Sequence, residues 1–296
     1  LNYQNLLEQN RQRSLEIWAQ SRRHALHEAV RNTPVNTASG ATSSGSGRVK
    51  GGLQLVWSSI TNTPVADPTS VSDWNNYFGN SFFTSVRVTG NTVNLIPSGT
   101  VQFGPNLFSP GKSGNEYLIQ IIDKANCVTV IDSQALTNCV NLTTVIIPAC
   151  TLIAFAALFF CTSLVTVDFT SVEEVAELGL GGLYSLESLS MPALTLALPY
   201  AFYYTISMLS FSAPNLEIIG NNAFMGCVTL ASISIPQCTN LGENVGNNNV
   251  FEGISGNTID ITLPAALMTC NAGDPDGDII ALAIDNTLII NGTPYP

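Results

Sequence analysis

The stretch "IGNNAFMGCVTLASISIP" (Ile219–Pro236) decides the architecture of this chain. It alternates small residues, single apolar residues and one Cys, with no charge. Three readings are open: a loop around a reactive cysteine, a buried strand, or one coil of a repeat. Stepping by 22 residues from it selects the third. The step gives Leu142, Leu164, Leu186, Met208 and Leu230, then Val145, Val167, Leu189, Phe211 and Ile233. Ile147, Phe169, Met191, Ala213 and Ile235 follow, with Pro148, Pro192, Pro214 and Pro236 closing four of the five units. Earlier in each unit a small residue (Ala135, Ala157, Gly179, Ala201, Ala223) precedes a large apolar one (Leu136, Leu158, Leu180, Phe202, Phe224).

A unit this short cannot bury its own apolar face, so units stack and the core becomes a column. The Leu-x-x-Val-x-Ile-Pro element is expected to be a short strand with Val145 and Ile147 inward and residues 144 and 146 outward. The proline ends the strand where its missing N–H is tolerated. The small-large pair is expected to form the opposite wall. A sixth unit ends at Pro264 after an insertion, "GENVGNNNVFEGISGN", expected to loop out on one side.

These residues resemble the BspA-type leucine-rich repeat, whose units read roughly Ile-Gly-x-x-Ala-Phe-x-x-Cys-x-x-Leu-x-x-Ile-x-Ile-Pro. "IGNNAFMGCVTLASISIP" matches at every defined place and "IDSQALTNCVNLTTVIIP" at nearly all. The resemblance covers about residues 125–265. It implies a leucine-rich-repeat solenoid, mainly β with short helical turns, and a binding or adhesion role without chemistry. The units in which Leu183 and Thr205 replace the Cys are expected to be irregular.

Around the solenoid (113–265) the composition changes. Residues 1–34 predict an anchoring helix with an apolar stripe of Leu7, Leu15, Trp18, Leu26 and Val30, ending at "NTP". Residues 35–50, rich in Gly, Ser and Thr, predict a flexible linker. Residues 51–112 predict a small β-rich module. Within it, Gly90-Asn91 reads as a hairpin turn, and "SVSDWNNYF" as a helical turn started at Ser70 or Ser72. Trp74, Tyr77 and Phe78 are expected to pack inward from that turn. Residues 266–296 predict a β cap, read as a turn and two strands.

Charge excludes one class of partner. Residues 1–50 carry seven basic side chains against three Glu, a net +4, and the rest carries three against eighteen acidic, a net −15, which makes −11 overall. An acidic body argues against nucleic acid, whose phosphates need clustered Lys and Arg. Charged residues are only 10% of the chain, so its polar surface must come from Ser, Thr, Asn and Gly. No apolar run reaches the roughly 18 residues of a membrane span. No basic-then-apolar signal peptide opens the sequence.

Candidate chemistry is sparse. Cys139, Cys161 and Cys227 share one repeat position, Cys150 and Cys238 another, both otherwise held by apolar or small residues. Buried thiols in a column are therefore expected, with a Cys139–Cys161 disulfide left open and zinc disfavoured for want of a C-x-x-C pair. His24 and His27, the only histidines, complete no metal site or catalytic set. Asp274, Asp276 and Asp278 resemble the start of a calcium loop, but Ile279 and Asp285 stand where an EF-hand needs Gly and Glu. No cofactor and no enzymatic activity are expected.

The expected binding surface is the outward strand face: Thr144, Ile146, Thr166, Asp168, Ser188, Ser190, Ser210, Ser212, Ser232 and Ser234. It is a lawn of small hydroxyls suited to weak, multivalent contact with a cell-surface glycan or a flat protein. Helix anchor, tether, β module and distal solenoid together suggest a homo-oligomeric virion protein, a fibre, spike or tail appendage assembled in the host cytoplasm. On this reading the helix meets other virion proteins. "SVSDWNNYFGNSFFTSVRVTGNTVNLI" is similar in kind to bacteriophage appendage proteins carrying leucine-rich repeats. The alternative is a bacterial cell-surface adhesin.

Overall fold

The computed structural model describes residues 51–108, 117–242, 250–264, 267 and 277–295, all within the compact unit Lys50–Pro296. The expected anchoring helix and linker lie outside the described residues.

The chain begins with β1 (Leu53–Trp57), helix α1 (Val71–Phe78), the hairpin β2 (Phe83–Thr89) and β3 (Thr92–Pro97), and β4 (Val101–Phe103). The hairpin turns at Gly90, whose φ of 56° lies in the region only glycine enters freely. In α1, the Ser70 hydroxyl accepts from the Asp73 N–H at 3.2 Å, and Gly79 ends the helix at φ 74°. Trp74 and Phe78 are buried, as expected, and Tyr77 packs partly buried against the same core.

The solenoid follows, and its first six coils each carry two strands where the sequence pattern indicates one. The first set is β5 (Leu118–Asp123), β7 (Thr144–Ile146), β9 (Thr166–Asp168), β11 (Ser188–Ser190), β13 (Ser210–Ser212), β15 (Ser232–Ser234) and β17 (Thr258–Thr262). The second is β6 (Val128–Ile131), β8 (Leu152–Ile153), β10 (Glu174–Val175), β12 (Leu196–Ala197), β14 (Ile218–Ile219) and β16 (Asn240–Leu241). Neighbours pair in parallel at one repeat's offset, as in Leu152 opposite Glu174 and Ser210 opposite Ser232. Between the sheets lie the repeat's apolar positions, Leu142, Val145, Ile147, Leu164, Leu189, Met191 and their equivalents, all nearly inaccessible except Val167.

The residues expected to form a separate β module are built into this body. Strand β1 pairs antiparallel with β3 on one side and with β5 on the other, giving a sheet ordered β2-β3-β1-β5-β7-β9. Strand β4 pairs in parallel with β6 and heads the second sheet. An aromatic cluster of Trp57, Trp74, Tyr77, Phe78, Phe83, Phe103 and Phe108 closes the end of the column, with ring centroids 5.0–6.3 Å apart. The Tyr77 hydroxyl donates to the Leu107 carbonyl. A solenoid end exposes apolar surface, and these rings cover it.

At the other end the structure corrects two expectations. The first of the two strands expected in the C-terminal cap is instead helix α2 (Gly277–Asp285). Ile279 and Leu282, three apart, are both buried, a helical spacing that the apolar run "IIALAI" disguises as a strand. Asn286 secures its end, donating to the Leu282 and Ile254 carbonyls at 2.9 Å each. The chain then forms β18 (Thr287–Ile290), parallel to β17, and β19 (Thr293–Pro294). The insertion is also only partly a loop. Residues 243–249 lie outside the described residues, but Val250 and Phe251 rejoin the column as its next small-large pair. Phe224 N donates to Val250 O at 2.9 Å, as Phe202 N does to Ala223 O.

One junction differs from the rest. Strands β9 and β11 do not pair, so the first sheet ends at β9 and another begins at β11. The wall side of the same junction stays bonded, Leu158 N to Gly179 O and Phe160 N to Gly181 O, both 3.0 Å. Val167 is half-exposed, where its equivalents Val145, Leu189, Phe211 and Ile233 are buried. Side-chain volume explains the opening. Phe169 is the bulkiest occupant of its repeat position, on the strand side, while Gly179 and Gly181 let the walls close up. Irregularity in the Leu183 unit was expected, and the seam opens at its strand. The Thr205 unit is regular, because the Thr205 hydroxyl donates to Leu180 O at 3.2 Å as a Cys thiol does elsewhere.

Amide exchange should read this seam. The equivalent amides of Ile147, Met191, Ala213 and Ile235 donate to the next coil at 3.2, 2.9, 2.9 and 3.0 Å, and Phe169 has no such partner. The Phe169 amide is expected to exchange at least about tenfold faster than those four. Equal protection in a hydrogen–deuterium experiment would show the ladder to be continuous.

Candidate functional site

The ten residues expected to form the binding surface all lie on the strands of the first set. Thr166, Ser188, Ser190 and Ser232 are exposed, and Thr144, Ile146, Asp168, Ser210, Ser212 and Ser234 are half-exposed. Register aligns them in rows: Ser188, Ser210 and Ser232 are direct partners, as are Ser190, Ser212 and Ser234. Thr144 faces Thr166, and Ile146 faces Asp168. The seam divides the lawn into a two-coil array ending at Asp168 and a three-coil array beginning at Ser188. Asp168 is occupied locally, accepting from the Thr170 N–H at 3.2 Å and from its hydroxyl. The serine rows offer neutral donors and acceptors, and the row of Ser188, Ser210 and Ser232 continues in register to the exposed Asp260.

Sequence reasoning missed the second outward face. On the second sheet the inward positions are Ile131, Ile153, Val175, Ala197, Ile219 and Leu241, all buried. The residue before each points outward: Val130, Leu152, Glu174, Leu196, Ile218 and Asn240, aligned by strand register. Ile218 is 42% exposed, and the other five are half-exposed. Beside them stand the exposed Thr151, Glu173, Thr195, Glu217 and Thr239. The signal was in the sequence, since these positions also recur every 22 residues.

The remaining expected sites fall where no structure is described. Leu7, Leu15, Trp18, Leu26, Val30, His24 and His27 lie outside the described residues, as do Asp274 and Asp276, and the Asp278 side chain is not described. Among the described residues no group of three His, Cys, Asp or Glu is placed to hold a metal. No described helix is long and apolar enough to cross a membrane.

The family model for the BspA type leucine rich repeat region matches residues 76–198 and 195–272, in six copies. The chain belongs to the BspA-type leucine-rich repeat family. Such repeats carry a protein-binding or adhesin-like role, on scaffolds that are typically non-enzymatic. Among solved structures, a leucine rich repeat protein of T. pallidum is similar at 16% identity, over 69% of this chain and 95% of that one, with a TM-score of 0.39. A leucine-rich repeat protein from Bacteroides ovatus ATCC 8483 is similar at 15% identity, over 60% and 62%, with a TM-score of 0.30. No curated protein matches the chain.

The BspA-type coil explains the cysteines. Cys161 Sγ donates to Leu136 O at 3.1 Å and Cys227 Sγ to Phe202 O at 3.2 Å, each tying its coil to the one before. Cys139 donates to Phe108 O at 3.7 Å, fastening the first BspA-type coil to the aromatic cap. All six described cysteines are buried, and none of them forms a disulfide. Burial pushes the Cys150 thiol up to about 11 and the Cys227 thiol up to about 12. These thiols are held above their unfolded pKa of about 8.5. The stability they contribute is full below that pH and is lost as pH rises toward 11–12.

With Cys270 replaced by Ser, we expect no reaction with Ellman's reagent in the native protein and six thiols on unfolding. A native-state thiol titrating within minutes would contradict the buried column.

Each BspA-type coil also turns two corners in the left-handed region. One corner is Gln134, Ala156, Leu178, Tyr200 and Asn222, and the other Asn138, Phe160, Gly182, Tyr204 and Gly226. An aromatic at the second corner lies over the glycine of the next coil. A Cβ on Gly182 would stand 2.5 Å from the Phe160 ring, and one on Gly226 2.7 Å from Tyr204. The alternation of ring and glycine is thus a packing device between coils.

Proposed function

We propose that this chain is a non-enzymatic attachment module of a virion, a fibre, spike or tail appendage. It would lay the first-sheet strand face on a glycan or flat protein surface of the target cell. The observation that supports this is the in-register serine array of β11, β13 and β15. Parallel pairing sets successive hydroxyls about 4.8 Å apart. Each can donate and accept, so a repetitive polar target is met by many equivalent weak contacts. Tight protein grooves instead concentrate Trp, Tyr and Arg, which these rows lack. On this reading residues 1–34 join other virion proteins.

The test is attachment of purified protein to host cells. Because the side chains point outward, Ser188→Ala, Ser210→Ala and Ser232→Ala together should preserve the melting temperature. They should lower cell binding at least about tenfold, as expected for loss of a multivalent contact. Undiminished binding would move the function off this face. Deleting residues 1–47 should leave a soluble body that no longer joins its particle. A bacterial cell-surface adhesin is the second reading, favoured by membership of the BspA-type family. Mass spectrometry of purified particles separates the two, and absence of this chain from every virion would select the adhesin.

A further inference from the structure

The outward row of the second sheet has a chemistry opposite to the serine face. Val130, Leu152, Leu196 and Ile218 form a line of aliphatic side chains interrupted at its centre by Glu174, whose strand partners are Leu152 and Leu196. Burial already raises the Glu174 carboxyl above its ordinary pKa. Anything that covered the row with apolar surface alone would strand this carboxylate in a low-dielectric contact, a costly arrangement unless a cation meets it. The rim is acidic as well, with Glu173 and Glu217 exposed beside the row. A second copy laid on the same face about a two-fold axis would set these acids against one another. The occupant must therefore be apolar and basic together.

We propose that this row is a docking site for a cationic amphipathic helix of a partner protein, with one Lys or Arg set against Glu174 between apolar contacts. The dimensions fit. Five strand positions from Val130 to Ile218 span about 19 Å at the strand spacing, the length of a helix of about 13 residues. Apolar side chains at i, i+3, i+10 and i+14 would meet the four aliphatic positions, a basic residue at i+7 would meet Glu174, and basic residues on the flanks would meet Glu173 and Glu217. This surface is separate from the serine array, so an attachment module could hold its target and its partner at once.

Fluorescence anisotropy with a labelled Leu/Lys helical peptide of about 14 residues, carrying a single Lys at the centre of its leucine face, tests the proposal. The intact protein is expected to bind it, and Glu174→Lys to weaken binding at least about tenfold. Replacing the central peptide Lys by Glu should restore binding to the Glu174→Lys protein and weaken binding to the wild type. Leu196→Ser with Ile218→Ser should abolish both interactions. The triple serine-face variant should bind as the wild type does. Circular dichroism melts confirm that each variant is folded. The proposal is overturned if the wild type does not bind, if the charge swap has no effect, or if the row instead mediates dimerisation that Ile218→Ser abolishes.

Discussion

Replacing Asp123 by Ala is expected to cost about 3–5 kcal/mol of stability. Asp123 is 2% exposed, at the end of β5 where the first coil turns toward β6. Its carboxylate accepts from the backbone N–H groups of Cys127 and Val128, both at 2.7 Å, from Ala125 N–H at 3.1 Å, and from the Cys127 thiol at 3.3 Å. Hydrogen bonds to a charged acceptor contribute about 1.5–3 kcal/mol each, and losses within one network are not additive. Alanine would leave buried amides without a partner, the costly half of the exchange. Asn keeps the shape and part of the acceptor capacity, so Asp123→Asn should lose distinctly less. Urea unfolding curves for the three proteins decide this. An Asp123→Ala loss under about 1 kcal/mol would mean that water replaces the carboxylate.

Phe224→Ala should cost a similar amount, about 3–5 kcal/mol. Phe224 is fully buried and stacks on Phe202 of the preceding coil, centroids 5.0 Å apart, and on Phe251 of the following one, 5.7 Å apart. Phe211 meets it edge-on at 4.9 Å. In a solenoid each coil is stabilised by its neighbours, so one cavity here weakens two interfaces. The C-terminal coil should uncouple, with amides after residue 250 losing protection before those near Phe202. Phe224→Leu, which fills most of the space, should cost less than half as much. A uniform loss of protection along the chain would show that unfolding is global rather than coil by coil.

The repeat was legible because a 22-residue period constrains many positions at once, and Leu142, Val145, Ile147 and their successors state it redundantly. Tyr77, Trp74 and Phe78 were legible for a local reason, a serine cap followed by an amphipathic turn. Helix α2 was not, because "IIALAI" is apolar at both the strand and the helix period. The Asp123 carboxylate gave no signal, since a single acid in a chain with eighteen beyond residue 50 has nothing to distinguish it until the turn folds around it.

The sequence by itself determined the coil, its period, the inward faces and the ten outward hydroxyl-face residues, because these follow from side-chain pattern and chain geometry within 22 residues. Only the tertiary structure decided how coils meet. Whether β9 and β11 pair, whether residues 51–103 stand apart or extend the sheets, and whether Val130, Leu152, Glu174, Leu196 and Ile218 line up are contacts between coils. Side-chain volume and backbone pairing across a whole repeat set those contacts, and no window within one coil contains them.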